Sequence, residues 1–131
     1  MKVKIFTVTH KAYWFPEDSL YEPIQVGFKA DLGILRDNIG DNISSKNKHY
    51  CELTALYWIY KNIQDLDYIG LDHYRRHFVS RVTRGDKQDK VLKESELVKY
   101  LNNNTVIVPK HRNYFIETNY SHYVHSQHEI D

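Results

Sequence analysis

The sequence has no long apolar run and only one cysteine, and each of these absences excludes a class of protein. The longest apolar run, Ala55 to Tyr60, is far short of the ~20 residues that a membrane-spanning helix needs. The single cysteine, Cys51, excludes an internal disulfide framework. Residues 1–10 lack the apolar block and the small-residue cleavage site of a signal peptide. These features predict a cytoplasmic protein, either free or peripherally associated with the inner face of the cell membrane.

The sequence also lacks an excess of charge and several well-known ligand motifs. Lys plus Arg number 18 against 17 for Asp plus Glu, and the net charge of +1 argues against a surface built as a whole to hold nucleic acid. No Gly-x-x-x-x-Gly-Lys, Gly-x-Gly-x-x-Gly or Gly-x-Ser-x-Gly motif occurs. The sequence therefore lacks the signature motifs of ATP-binding, dinucleotide-binding and serine-hydrolase proteins.

What the sequence does contain is an ordinary globular composition with many rings. Its 131 residues are 41% apolar and 27% charged, which predicts a single domain over residues 1–131. There are 11 Tyr, 5 Phe, 2 Trp and 8 His. Flat side chains with polar tips suit a surface that stacks sugars or bases as well as they suit a core.

Hydrophobic periodicity predicts alternating strands and helices. Val3 to Thr9 is rich in β-branched residues and predicts a first strand. Lys46 to Asn62 predicts one helix, because apolar residues recur every four positions and capping residues precede them. The four residues of this face are Cys51, Ala55, Ile59 and Ile63. Further apolar residues make this helix apolar nearly all round, so we expect it to be buried on more than one side.

The remaining pattern predicts a parallel sheet. The further predicted elements are a short strand near Ile24 to Val26 within the long connection Lys11 to Gly40, a strand at Asp67 to His73, a loop at Arg81 to Lys90, a helix at Glu94 to Leu101, a strand at Thr105 to Pro109 and a C-terminal helix within Glu117 to Asp131. Strands that alternate with helices indicate a three-layer α/β fold with a mostly parallel sheet. The strands at Val3 to Thr9, Tyr68 to Leu71 and Val106 to Pro109 are expected to be parallel neighbours.

Candidate functional residues follow the ends of the predicted strands. Ligands of open parallel sheets bind beyond the carboxyl ends of the strands, where the loops gather. The three places are Thr9 to Lys11, Asp72 to Arg76 and Pro109 to Arg112. Each combines a cation or imidazole with a hydrogen-bond donor, as an anionic ligand requires. We expect six side chains to converge in one pocket: Thr9, His10, Asp72, His73, Arg75 and Arg76.

Two adjacent arginines are the strongest single signal for an anion. The segment His73 to Lys93 carries seven basic residues against two acidic ones. Guanidinium groups bind phosphate oxygens in pairs, so Arg75 and Arg76 are candidate diphosphate ligands. For the later lysines of this segment, Lys87 to Lys93, an ordinary solvated loop is the favoured interpretation. Residues 41–47 precede the predicted buried helix, and they either bind an anion at its N-terminus or only cap it.

Metal and thiol chemistry have weaker signals. Asp72 and His73 could hold Mn²⁺ or Mg²⁺ between the protein and a diphosphate, while an Asp that caps a turn beside a half-buried His explains them at least as well. His73 and His77 would form a zinc pair only on a helix, which the predicted strand opposes. Cys51 is interpreted as a structural thiol.

Several segments together resemble a bacterial family first catalogued as a domain of unknown function. They cover nearly the whole chain and include a His-Tyr-Arg-Arg motif. The segments are Ile5 to His10, Ile24 to Gly27, Gly40 to Ser44, Lys46 to Asn47, Tyr50 to Trp58, Gly70 to Phe78, Tyr114 to Thr118 and Tyr120 to Tyr123. Members of this family occur in capsule, exopolysaccharide and lipopolysaccharide gene clusters and are regarded as glycosyltransferases of the nucleotide-diphospho-sugar type.

The resemblance implies a fold, a reaction and partners. The fold would be of the GT-A type, and this chain would be its N-terminal half, because family members run to about twice this length. The reaction would move a sugar from a nucleotide-diphospho-sugar, such as a UDP-sugar, to a saccharide or lipid-linked acceptor of a growing cell-surface polysaccharide. One departure concerns Asp72, because the family commonly has Cys or Ser at that position.

The sequence and the resemblance together give a set of donor-binding candidates. They are Thr9, His10, Asn42, Ser44, Lys46, Asn47, His73, Tyr74, Arg75 and Arg76. The general base is not identified, and Glu52 and Glu117 are the candidates. Two other functions stay open: a catalytically inactive remnant that acts as a binding or scaffold domain, and a module that binds single-stranded nucleic acid through Arg75 to Lys93 and nearby aromatic residues.

Overall fold

The computed structural model describes residues 1–103, 106–110, 115 and 118–126. The strands are β1 (Val3–Thr9), β2 (Tyr21–Gln25), β3 (Leu35–Arg36) and β4 (Tyr68–His73). The helices are α1 (Asn47–Tyr50), α2 (Leu53–Asn62), α3 (Lys87–Lys90), α4 (Glu94–Leu101) and α5 (Asn119–Ser126), and a 3₁₀ turn (Ser44–Lys46) precedes α1. Among the described helices, none is long and apolar enough to span a membrane.

The four strands form one parallel sheet in the order β3-β2-β1-β4. β1 lies in the interior of this sheet, where Val8 pairs with Ile24 of β2 and Thr7 pairs with Asp72 of β4. Gly70 of β4 is needed for this register, because an added Cβ would lie 2.8 Å from Cγ1 of its partner Ile5. The carboxyl ends of β1 and β4 therefore meet at one edge of the sheet.

Apolar side chains of β1 alternate between two cores, one on each face of the sheet. On one face, Val3 and Ile5 belong to a cluster with Leu97 and Leu101 of α4. On the other face, Phe6 and Val8 belong to a cluster that includes Ala55, Trp58 and Ile59 of α2. Helices thus cover both faces of a parallel sheet, and the predicted three-layer α/β fold is confirmed.

The helix predicted over Lys46 to Asn62 is wrong, because the structure breaks it at Cys51. Cys51 has φ +50°, a left-handed backbone that no α-helix continues. Its carbonyl accepts hydrogen bonds from Nδ2 of Asn47 at 2.9 Å and from Oγ1 of Thr54 at 3.1 Å. Ala55 and Ile59 are buried and Ile63 packs beside them, but Cys51 is exposed. The predicted apolar face therefore starts at α2.

Burial of this helix on more than one side is also wrong. Leu53 is 54% exposed and Tyr60 is 75% exposed. Only one face of α2 packs on the sheet, and its apolar outer face is open among the described residues. Apolar composition alone did not distinguish the two faces.

Other element boundaries differ from the predicted ones in smaller ways. α4 has the predicted bounds, and α5 lies within the predicted C-terminal helix, whose residues 127–131 fall outside the described residues. Residues 106–110 form no strand, and Val106 and Val108 are each 71% exposed. The short strand near residue 24 is longer than predicted, and β3 follows it. The loop at 81–90 ends in α3, which Asp86 and Asp89 cap reciprocally.

Candidate functional site

The carboxyl ends of β1 and β4 are shaped by tight turns. Thr9 is buried, and its Oγ1 donates to the carbonyl of Lys11 at 2.6 Å and accepts from the Lys11 N–H at 3.2 Å. This hydroxyl therefore closes the turn that carries the exposed His10. After β4, His73 and Arg76 pair as an isolated antiparallel bridge, which leaves Tyr74 and Arg75 at the tip of a turn.

His73 lies at the centre of the groups that the sequence predicts to converge. Burial lowers the pKa of His73 below its ordinary 6.5, and the nearby cations Arg75 and Arg76 lower it further. Glu52 acts on this imidazole in the opposite direction and raises its pKa. His10 also contributes to lowering the pKa, which places it within electrostatic reach of His73. The rings of His10 and His73 also both contact the Tyr74 ring, so these groups lie at one edge of the sheet.

His10 has a similarly cationic environment. Burial is the largest cause that lowers its pKa below 6.5, followed by the charges of Lys29, Lys11 and Arg75. The lowered pKa favours the neutral form of this imidazole. A concentration of cations that disfavours a further positive charge favours an anion.

The Tyr74 ring lies beneath the basic side chains at this edge of the sheet. Its ring is buried, and its backbone N–H donates to the carbonyl of Val8 at 3.0 Å. The ring centroid of His10 lies 5.3 Å from the Tyr74 centroid, Cζ of Arg75 lies 5.4 Å from it, and Nζ of Lys11 lies 5.6 Å from it. Tyr74 was predicted to bind the donor, and the structure places its ring beneath the cations instead of in solvent.

A cleft of about 940 Å³ opens beside the turn that follows β4. Glu52, His73 and Arg76 line it, together with Asp72 and His77. From the third predicted place, Pro109 and Lys110 line the same cleft, while His111 and Arg112 fall outside the described residues. The volume is in the range of small-molecule sites.

The two residues that were predicted to share a metal ion, Asp72 and His73, have different neighbours in the structure. Successive residues of a strand project to opposite faces, and the contacts of the two side chains agree with this rule. Asp72 Oδ2 lies 2.9 Å from Nδ1 of His77, whereas His73 is near Glu52 at the start of α2. The residues that the structure describes contain no group of three or more His, Cys, Asp or Glu side chains placed to hold a metal ion.

Of the four donor-binding residues predicted before α2, three have internal roles: Asn42, Ser44 and Asn47. Asn42 donates to the Gly40 carbonyl at 2.8 Å and accepts from the Ser44 N–H at 3.1 Å, and Ser44 is buried. Asn47 donates to Cys51 and Thr54. Lys46 is exposed at the end of the 3₁₀ turn. Of the two candidate bases, Glu52 lines the cleft and Glu117 lies outside the described residues.

From the sequence, Lys11 was placed at a strand end but not named as a candidate ligand, and neither Lys29 nor a pair of His77 with Asp72 was given a role. Lys11 and Lys29 both act on His10, and His77 pairs with Asp72. The position of Lys11 directly after His10 was a usable signal. Lys29 comes from the loop after β2, and no local pattern indicates that this loop lies beside β1.

Comparisons with known proteins agree with this fold. The family model described as a domain of unknown function, DUF4422, matches residues 4–131. A solved apo structure of the bifunctional glycosyltransferase WbbM is 41% identical to this chain, with a TM-score of 0.59. The similarity covers 66% of this chain and 16% of the WbbM chain. No curated protein matches.

The parallel sheet, its flanking helices and the similarity to WbbM define an α/β protein that is related to glycosyltransferases. The chain belongs to the DUF4422 family, whose model matches nearly its whole length. It corresponds to only a small part of WbbM, so what that protein does as a whole does not transfer to it directly.

Proposed function

We propose that this chain is the donor-binding part of a glycosyltransferase. The ligand is a nucleotide-diphospho-sugar, with a UDP-sugar as the expected donor, and the acceptor is a saccharide or lipid-linked saccharide of a cell-surface polysaccharide. One observation carries the proposal: His10, His73, Arg75 and Arg76 come together at the carboxyl edge of a parallel sheet, beside an open cleft.

The charges at this edge suit a diphosphate. Within the described residues, no carboxylate forms an ion pair with Arg75 or Arg76, so both guanidinium groups can bind oxygens of a ligand. Lys11 and Lys29 add charge on the His10 side, and Lys110 adds it in the cleft. These groups would bind the donor and stabilise the negative charge that develops on the departing diphosphate.

Glu52 is our candidate for the group that accepts the proton of the acceptor hydroxyl. It lines the cleft and interacts electrostatically with His73, so it lies beside the proposed diphosphate site. A carboxylate in this position can act as a base only if the acceptor enters the same cleft. Mn²⁺ or Mg²⁺ stays an untested prediction for the reaction as a whole.

Titration with uridine diphosphate tests the proposal. Arg75→Ala and Arg76→Ala should each weaken binding by about 1.5–3 kcal/mol, the usual size of hydrogen bonds to charged groups. Arg84→Ala removes an exposed arginine of the same basic segment and is the matched control, which should bind as the wild type does. Calorimetry of the four proteins gives the comparison directly.

Three outcomes would count against the proposal. Unchanged binding in both arginine variants would remove the arginines from the mechanism. If no sugar nucleotide binds, a steep loss of affinity with salt for single-stranded nucleic acid would favour the nucleic-acid module. Absence of both activities would favour an inactive remnant.

A further inference from the structure

The turn after β4 is a miniature hairpin that presents the two arginines. The Arg76 N–H donates to the His73 carbonyl at 2.8 Å, and the His73 N–H donates to the Arg76 carbonyl at 3.2 Å. Tyr74, at the tip, is buried and is tied to β1, while Arg75 and Arg76 are exposed. The direction in which the guanidinium groups point therefore depends on how firmly this hairpin is closed.

Asp72 and His77 close the hairpin one position further out. Oδ2 of Asp72 lies 2.9 Å from Nδ1 of His77, and the two side chains are only 3% and 11% exposed. The rings of Trp14 and Tyr21 meet the imidazole edge-on, at centroid distances of 5.6 Å and 6.2 Å. The pair is thus fixed by a hydrogen bond and by packing on two further rings.

The same geometry makes Asp72 unsuitable as a ligand of a divalent cation. One carboxylate oxygen is engaged by His77, and the other, Oδ1, is buried without a partner in the described structure. A divalent cation that bridges protein and diphosphate needs carboxylate oxygens that are open to the ligand. His73 leaves β4 on the opposite face, although both residues border the same cleft.

We propose that Asp72 and His77 are positioning residues for the arginine hairpin, and that this hairpin binds a nucleoside diphosphate through guanidinium groups without a divalent cation. The inference rests on the proposed function, because it concerns the same site. Guanidinium groups supply both the charge and the paired donors that phosphate oxygens need, so they can take the place of a bridging metal.

The experiment is a uridine diphosphate titration in EDTA and again in Mn²⁺, with the wild type and three variants. The wild-type affinity should be equal in the two buffers. Asp72→Ala should weaken it about tenfold or more in both, since small misplacements of binding groups have effects of this size. Asp72→Asn should stay within about twofold of the wild type, because an amide still hydrogen-bonds Nδ1 of His77 in either tautomer.

Tyr21→Phe is the matched control for a merely structural effect. It removes a buried hydroxyl that donates to the Leu92 carbonyl at 2.8 Å, from a ring that contacts His77. This variant should lose thermal stability and keep its nucleotide affinity. If its affinity falls as far as that of Asp72→Ala at equal loss of Tm, the pair has no specific positioning role.

Hydrogen exchange supplies a readout that needs no ligand. The Arg76 amide should exchange faster in Asp72→Ala and not in Asp72→Asn, and unchanged exchange in both would overturn the positioning role. Tighter binding in Mn²⁺ that Asp72→Asn abolishes would identify Asp72 as a metal ligand and contradict the inference. If the wild type binds no uridine diphosphate in either buffer, the proposed function and the metal-free binding both fail, while the exchange data still decide the positioning role.

Discussion

The two halves of the sheet's carboxyl edge use polar residues in opposite ways. At the ends of β2 and β3, polar side chains form hydrogen bonds within the fold: buried Gln25 bonds the backbone of Ala30 and Leu32, and buried Asp37 accepts from Thr54 at 2.6 Å. At the ends of β1 and β4, cations surround His10 and His73 without ion pairs to carboxylates among the described residues. The polar side chains of the first half therefore stabilise the fold, and we call this half the framework half. The basic side chains of the second half remain able to bind a ligand.

This difference separates structural from functional candidates better than residue type does. Asn42, Ser44 and Asn47 have the chemistry to bind a ligand, yet the first two share a local turn and Asn47 holds the helix break. Arg75 and Arg76 have no comparable internal partners in the described chain. A polar side chain is a strong candidate for ligand binding when it is exposed and the fold leaves its hydrogen-bonding groups unused.

Loss of the Thr54 hydroxyl is the largest effect we expect on the framework side. Thr54→Val keeps the shape of the side chain but leaves the buried Asp37 carboxylate without its donor. Unfolding should become easier by about 1–3 kcal/mol, because an unsatisfied buried acceptor bears its desolvation cost. Urea denaturation measures this loss, with Thr83→Val at an exposed position as the control. If Thr54→Val lost nucleotide affinity without losing stability, the assignment of Thr54 to the framework half would be wrong.

Relief of the strained backbone at the helix break is a smaller effect with the opposite sign. Cys51 has φ +50° and ψ −127°, which glycine adopts far more readily than other residues. Cys51→Gly should stabilise the protein by roughly 1 kcal/mol, since such strain costs about that much. Cys51→Ala retains the Cβ and should give no gain in the same denaturation assay. A loss of stability in the glycine variant would show that the break is not strained.

The pH dependence of stability should be the smallest effect, and it belongs to the cationic side. The folded pKa values of His10 and His73 lie below 6.5, so the unfolded chain binds protons first as the pH falls. Stability should therefore decrease from about pH 7 toward pH 5. Replacing both histidines with Asn should flatten the curve over this range. An identical slope in the double variant would contradict the assigned environments.

The sequence predicted more of the fold than of the candidate site. The β-branched alternation of residues 3–9 and the bounds of α4 follow from local periodicity, and both are confirmed. The break at Cys51 depends on side-chain hydrogen bonds from Asn47 and Thr54, which periodicity does not register. The strand predicted at Val106 to Pro109 failed because β propensity is realised only where a partner strand pairs with the segment.

Local sequence also indicated the arginines but not their surroundings. The rule that ligands bind at the carboxyl edge of a parallel sheet predicted that His10, His73, Arg75 and Arg76 share one edge, and the proximity of His10, His73 and Arg75 to the Tyr74 ring agrees with this. Their role in binding a ligand stays a prediction. It did not predict that the Thr9 hydroxyl donates to the Lys11 carbonyl within a turn, or that Asp72 pairs with His77. Such pairings depend on how the chain folds back after β4, which is a property of tertiary structure.

Chemical-shift mapping of a uridine diphosphate titration tests the central claim most directly, because it observes both halves of the edge at once. We expect the amide signals of His10 and of His73 to Arg76 to move, and those of Asn42 to Asn47 and of Asp37 to stay in place. Changes confined to the framework half, or no change in either half at saturating nucleotide, would contradict the account.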